Sequence, residues 1–595
     1  MTVNERIDAL RAEMKKENID MYLIPMADFH TSEYVGDYFK QVEYISGFTG
    51  TNATVVISQT DAGLWTDGRY FIQAKRELAG SYVSLFEMGE ENVPTVEEYL
   101  EQNLPEQGVI GFDGRVIYEN LAMKFQKIAE QKGGSLHTAD DLVDRFWTDR
   151  PSLPKKPMWV LEEKYAGVSM LDKVQWLREE MKKEGADAHL LTSLYDIAWL
   201  CNMRGDDIAN VPVFMSYVWL TESQFVLYVA EESLTDAVRA YLESNQVEVK
   251  PYDAIYTDLP KMEAQAILVD ANIVNHNLVE AFPGNATMVE APNPTDYKKS
   301  VKNDVEIENT IQAHIKDGVA VTKFIYWLKQ NIGKIPMTEI TASDYLEEKR
   351  REQEHFLDLS FDTISAYGPN AAMMHYSATE ESFAELKPEG FLLVDSGGHY
   401  LEGTTDITRT IVLGPLTEKM KDYFTVTLRS NLRLAAAKFP VGTVGQNLDI
   451  LARGPVWDMG LDYRCGTGHG VGHILNVHEG PQNFRWRVAD KAKVWPLKAG
   501  MITTDEPGLY VEDEFGIRHE NELLCRMAEK TEYGQYMNFQ VITYAPFDLD
   551  AVKPEMLTYL EKETLNAYHK MVYETISPYL TEEEQAWLKE ATRAI

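Results

Sequence analysis

The segment LRAEMKKENIDMYLI (Leu10–Ile24) recurs as LREEMKKEGADAHLL (Leu177–Leu191), 167 positions later. A weaker echo follows, YISGFTG (Tyr44–Gly50) against WLCNMRG (Trp199–Gly205). One repeat at this distance means a duplicated domain and excludes a solenoid, whose units recur every ~20–50 residues. Each copy opens with apolar positions at helical spacing, Ile7, Leu10 and Met14 in the first, and continues into an apolar run of strand length. Helix then strand, twice, predicts two related α/β domains. The proline-rich DRPSLPKKP (Asp149–Pro157) reads as the linker between them, and APNPTDYKKSVKND (Ala291–Asp304) as a second boundary. We therefore expect domains at residues 1–155, 156–302 and 303–595. The third begins with a long helix, DVEIENTIQAHIKDGVAVTKFIYWLKQ, and then alternates strand-like runs with glycine turns. From about residue 538 it is read as a helical, acidic packing extension without a motif.

Charge narrows the partners. A formal net charge of −37 argues against nucleic acid and against an anionic membrane surface. No apolar run approaches a membrane span, and the charged, amphipathic start lacks the apolar centre of a secretory signal. Three cysteines without paired spacing, Cys201, Cys465 and Cys525, suit a reducing cytoplasm and disfavour a thiolate zinc site.

The chemistry concentrates in the third domain. FLLVDSGG and TTDITRTIVL can pair as antiparallel strands, bringing Asp395 and Asp406 to one side. CGTGHGVGHILNVHEGP sets His469 among glycines, where backbone can approach a ligand closely. MITTDEPGLY places Glu506 at the end of an apolar run, and FGIRHENELL places Glu520 at the start of another. Four carboxylates gathered without a cation would repel one another and take up protons. Two divalent ions would balance four carboxylates, and an oxygen-rich shell with one imidazole suits Mn²⁺, with Co²⁺, Fe²⁺ or Zn²⁺ as alternatives. Paired ions at such a site acidify water and polarise a carbonyl, so amide hydrolysis is the expected reaction class.

These stretches resemble the pita-bread metallopeptidases, and over nearly the whole chain the long, three-domain, cytoplasmic Xaa-Pro aminopeptidases. The shared motifs are WTDGRYF, NMRG, GPNAAMMHY, VDSGG, GTGHGVG with NVHEGP, DEPG and IRHEN, in that order, with a matching tail from PFDLDAVKP onward. The resemblance implies two creatinase-like α/β domains, a pita-bread catalytic domain with a helical tail, and a homodimer. It implies Asp395, Asp406, His469, Glu506 and Glu520 as ligands of two metal ions. Glu506 would also accept the proton of the nucleophilic water, a hydroxide bridging the ions. His375 in MMHY and His478 in NVHEGP would hydrogen-bond the scissile carbonyl, and Arg518 would orient the site. The substrates would be peptides with proline at the second position. The family usually has histidine where this chain has Cys465, which leaves proline selectivity less secure.

Blander readings apply elsewhere. His473 is expected to be structural, because Gly470 and Gly472 oppose the helix that would pair it with His469. His314 and His519 are read as core histidines, and Arg69 and Arg204 as structural or interface residues. The rival functions are a prolidase restricted to dipeptides on the same site, a metal-free creatinase-like enzyme, and a non-catalytic peptide-binding module. Five intact ligand positions count against the last two.

Overall fold

The two repeats build the same sheet. In the first its strands are Met21–Pro25, Thr54–Ser58, Ala62–Thr66, Ser84–Glu87, Val109–Gly111 and Ser135–His137. In the second they are Ala188–Leu191, Ser216–Thr221, Phe225–Val229, Glu248–Pro251, Ala266–Val269 and Thr287–Glu290. Counted along each copy, both sheets have the order 4-3-2-1-5-6. In both, the first three strands are antiparallel and the outer ones add in parallel. The computed structural model describes residues 1–487 and 494–595.

Local signals account for the opening helices. Thr2 and Glu5 form a reciprocal cap on the helix Val3–Lys16, whose Ile7, Leu10 and Met14 are fully buried. The equivalent helix Met170–Lys183 starts at Ser169 and buries Val174, Leu177 and Met181. Each cap is worth about 1 kcal/mol, and each buried aliphatic side chain about 1.5–3 kcal/mol.

The chain divides into two compact units, Met1–Leu161 with Val168–Thr295, and Glu162–Gly167 with Asp296–Ile595. Both repeats thus share the first unit, where equivalent loops meet: Tyr118 bridges Asn275, and Glu119 binds the His276 Nδ1 at 2.7 Å. The short piece Glu162–Gly167 joins the second unit through its carbonyls. Asn303 and Asn309 donate to Ala166 and Lys164, both at 2.9 Å.

Helices Asp304–Asn331, Glu339–Arg351, Glu418–Ala435 and Gly445–Asp458 flank the sheets of the second unit. One sheet pairs Ile364–Tyr367, Phe391–Ser396 and Ile407–Val412. A six-stranded sheet orders Lys438–Pro440, Gly534–Val541, Asn521–Thr531, Ile502–Asp505, Gly468–Gly470 and Glu479–Phe484. The expected extension is α-helical only from Tyr559, in Tyr559–Ile576 and Glu582–Ala591, after short 3-10 turns at Leu549–Ala551 and Pro554–Met556. Residues 538–541 finish a strand instead. There Met537, Phe539 and Val541 alternate with Asn538 and Gln540, a period of two that a helix cannot use. Among the described residues no helix is long and apolar enough to cross a membrane.

Candidate metal centre

Adjacent strand ends deliver the acidic residues. Phe391–Ser396 and Ile407–Val412 pair antiparallel, with Asp395 opposite Thr408 and Asp406 immediately before the second strand. Glu506 follows Ile502–Asp505, and Glu520 lies between Phe515–Arg518 and Asn521–Thr531. Gly468 has no Cβ for a spatial reason: one would lie 1.8 Å from the Thr504 carbonyl oxygen, so only glycine lets the His469 strand close on its neighbour.

The side chains converge. Asp406, His469 and Glu520 present ligand atoms within 4.8 Å of one another. His469 Nε2 stands 3.5 Å from Asp406 Oδ2 and 3.3 Å from Glu506 Oε1. Its Nδ1 lies 3.0 Å from the Gly470 carbonyl, which can only accept, so the proton sits on Nδ1 and Nε2 faces the carboxylates. Asp395 is buried; its Oδ2 accepts from Arg518 Nη2 at 2.5 Å, while its Oδ1 has no hydrogen-bond partner among the described residues. The His478 ring stands edge-on to that of His469, with centroids 4.3 Å apart. His375 lies on a loop whose preceding residue, Met374, offers its carbonyl to Arg518 Nη2 at 3.4 Å.

Electrostatics shows what the cluster lacks. Burial, followed by repulsion from Asp395 and Glu506, drives the Asp406 carboxyl far above the usual range. Glu520 is driven up by burial and then by Asp406, Asp395 and Glu506. Glu506 is raised by burial first, with Asp395 adding to it and Arg518 opposing. One guanidinium does not neutralise three buried carboxylates and the half-buried Glu506 beside them. An orphaned Asp395 oxygen, an imidazole Nε2 turned inward and carboxyls pressed toward protonation form a donor set that fits hard divalent cations. Asp395, Asp406, His469, Glu506 and Glu520 are the residues able to hold them.

Family models match four stretches of the chain. The Creatinase/Prolidase N-terminal domain matches residues 6–146 and 149–306, Metallopeptidase family M24 matches 308–526, and the C-terminal region of that peptidase matches 535–595. A probable Xaa-Pro aminopeptidase P of Paracoccidioides brasiliensis is 38% identical over 100% of this chain and 99% of its own length. The chain belongs to the M24 metallopeptidases. The crystal structure of a Caenorhabditis elegans X-prolyl aminopeptidase, described as a cytosolic enzyme with a di-nuclear active site, superposes with a TM-score of 0.95. It is 33% identical, over 100% of both chains. A Bacillus anthracis Xaa-Pro dipeptidase, 22% identical with a TM-score of 0.50, covers 64% of this chain and 99% of its own, and shows the fold alone.

In this M24 chain a second layer, invisible to sequence spacing, holds the donors. Glu522 Oε1 accepts the Asp406 N–H at 2.8 Å and meets His314 Nε2 at 3.0 Å, so His314 supports the site and is more than core filling. Thr408 Oγ1 donates to Glu520 Oε2 at 2.7 Å. Buried Arg409 donates to the carbonyls of Thr408 at 2.9 Å, Glu520 at 2.5 Å and Pro546 at 3.1 Å, and to the Tyr568 hydroxyl at 2.7 Å. This ties the Asp406 strand, the Glu520 strand and the tail together. Only a buried arginine beside carbonyl-rich strand ends could have signalled it. His473 is structural, between Thr310 Oγ1 and the Tyr165 carbonyl. His519 packs on Phe424 and Phe547. Arg204 donates to the Ala198 and Met203 carbonyls, and Arg69 pairs with Asp67. Burial, then the Glu506 charge, pushes the Cys465 thiol up to about 11, so it stands near Glu506 as a neutral group.

Proposed function

We propose that the chain is a two-metal aminopeptidase that removes the N-terminal residue from peptides whose second residue is proline. The observation that supports this most is the convergence of Asp406, His469 and Glu520, with Glu506 against His469 and an Asp395 Oδ1 that no described residue partners. Bound there, two divalent ions would supply Lewis acidity and lower the pKa of a water. Glu506, at the mouth of the cluster and held by Thr504 Oγ1 at 3.3 Å, takes the proton that the water gives up. The water oxygen adds to the carbonyl carbon of the first residue, and His375 and His478 donate to the carbonyl oxygen as it gains negative charge. The C–N bond then breaks, and Glu506 returns the proton to the departing proline nitrogen. Arg518 holds Asp395 in place through its Nη2. A bond before proline is a tertiary amide without N–H, so a pocket can select the ring without supplying an acceptor. Likeness to full-length aminopeptidases over 99–100% of both chains favours this reading over a dipeptidase.

The test compares Xaa-Pro-Yaa-Zaa, Xaa-Ala-Yaa-Zaa and Xaa-Pro under Mn²⁺. We expect the first to be cleaved with a kcat/KM at least ~100-fold above the second, a difference within reach of pocket discrimination. Activity should vanish with a chelator and return best with Mn²⁺. Equal rates on proline and alanine would refute the selectivity, a preference for Xaa-Pro would point to a prolidase, and chelator-resistant cleavage would remove the metals from the reaction.

We also propose a homodimer in the cytoplasm. Three unpaired cysteines support that location, and recovery of the protein from an oxidising compartment would overturn it. Ile450, Trp457, Met459 and Trp486 are 39–48% exposed, and the two indoles meet edge to face at 5.8 Å. Such a cluster is costly to leave in water and fits a self-complementary contact. Sedimentation should show a dimer that Trp457→Glu converts to a monomer with its fold intact. A dimer that survives the substitution places the contact elsewhere.

A further inference from the structure

Glu339 is 0% exposed, yet the described residues offer it no cationic partner. It is the first residue of the helix Glu339–Arg351, where the helix dipole favours negative charge. Its Oε1 accepts from the Tyr367 N–H at 2.6 Å and the Asn370 amide at 3.1 Å. Its Oε2 accepts from the Tyr376 hydroxyl at 2.8 Å and the Ala384 N–H at 2.7 Å. A buried carboxylate is expensive unless donors surround it, and charge-assisted hydrogen bonds of this kind are the strong ones. These donors come from both ends and the middle of residues 367–384.

That segment needs an outside hold. Between residues 373 and 384 the chain forms neither helix nor strand, so no backbone ladder fixes its course. Its other face is already committed to the site. Gly516, two residues before Arg518, packs so closely that a Cβ there would lie 1.7 Å from the Ala371 carbonyl oxygen, and Arg518 holds the Met374 carbonyl. His375 therefore sits between a residue bound to Arg518 and a residue bound to Glu339.

We propose that Glu339 is a positioning residue that aims His375 at the scissile carbonyl by gathering the 367–384 segment onto one carboxylate. This rests on the role given to His375 above. Glu339→Gln replaces one acceptor oxygen with a donor. Tyr376 can turn its hydroxyl to accept, but the Tyr367 and Ala384 N–H groups cannot, so either orientation of the amide loses a backbone bond.

A double-variant cycle with His375→Ala tests the inference. Glu339→Gln alone should lower kcat/KM for an Xaa-Pro tetrapeptide ~10–100-fold, mostly in kcat, as expected for a displaced oxyanion donor. Its Mn²⁺ affinity by calorimetry should stay within about twofold of the unsubstituted protein, because no metal donor lies on the segment. In the His375→Ala background Glu339→Gln should cost nothing further. A full, additive loss there, or weakened Mn²⁺ binding, overturns the positioning role while leaving the proposed function standing. If His375→Ala by itself leaves kcat/KM unchanged, the role of His375 fails, and the role of Glu339 with it. Should Glu339→Gln not fold, Tyr376→Phe removes a single donor and runs the same cycle.

Discussion

Asp406→Asn should lower kcat/KM at least ~1000-fold and at the same time raise the melting temperature of the metal-free protein. The two effects have one cause. Burial and the Asp395 and Glu506 charges hold the Asp406 carboxyl well above its ordinary value of 3.8. A group whose folded pKa is raised binds more protons folded than unfolded, so its stabilising contribution is complete below the ordinary value and is lost as pH rises through the folded value. Without ions the unsubstituted protein should therefore lose stability from weakly acid to alkaline pH. The advantage of Asp406→Asn should be largest at alkaline pH and should close toward pH ~4, where the unfolded carboxyl also takes its proton. Saturating Mn²⁺ reverses the order, because ions bind the ionised shell and stabilise by mass action. Thermal melts of both proteins from pH 5 to pH 9, with chelator and with Mn²⁺, check this. If metal-free Asp406→Asn melts below the unsubstituted protein at pH 8, the carboxylates are not the strained cluster described here.

Arg518→Leu should cost ~3–5 kcal/mol of stability, the price of stranding one member of a buried ion pair. Arg518 is 3% exposed and its guanidinium serves four partners: Asp395 Oδ2 at 2.5 Å, the Tyr510 hydroxyl at 2.6 Å, Thr408 Oγ1 at 3.1 Å and the Met374 carbonyl at 3.4 Å. Its loss leaves Asp395 without a counter-charge and frees the loop that carries His375, so kcat/KM should fall ~100-fold or more. Arg518→Lys keeps the charge but cannot span a planar fork of partners, and should recover part of the stability and little activity. Adding Asp395→Asn to Arg518→Leu removes the stranded charge and should restore stability without activity. Denaturant unfolding of the metal-free proteins separates these cases, and a loss below about 1 kcal/mol for Arg518→Leu would make the pair dispensable.

Several features were legible in the chain itself because they depend on residue type and near spacing. The repeat at an offset of 167 became two sheets of one strand order. The periodicity of Ile7, Leu10 and Met14 became a buried helix face. Asp395 and Asp406 came together because residues 391–394 and the apolar positions Ile407, Ile411 and Val412 mark two strands that pair across the intervening turn. Metal chemistry admits few side chains, so Asp406, His469 and Glu520, which the fold brings within 4.8 Å, stood out as candidates at strand margins.

What supports those donors was not legible. His314 looked like core, yet it backs the Glu522 that holds the Asp406 amide 116 positions away. Arg409 gathers the Glu520 and Pro546 carbonyls from 111 and 137 positions away, and Glu339 holds Ala384 across 45. The tail lost its first residues to a strand, where the period of two from Met537 to Val541 is completed by pairing with Asn521–Thr531. By itself the sequence determined which side chains carry metal-ligand chemistry and, the start of the tail aside, where helical and strand periods run, since both follow from side-chain chemistry and short-range period. Only the tertiary structure decided which buried charge answers which, because hydrogen bonds and ion pairs depend on distance in space, and chain separation carries no record of it.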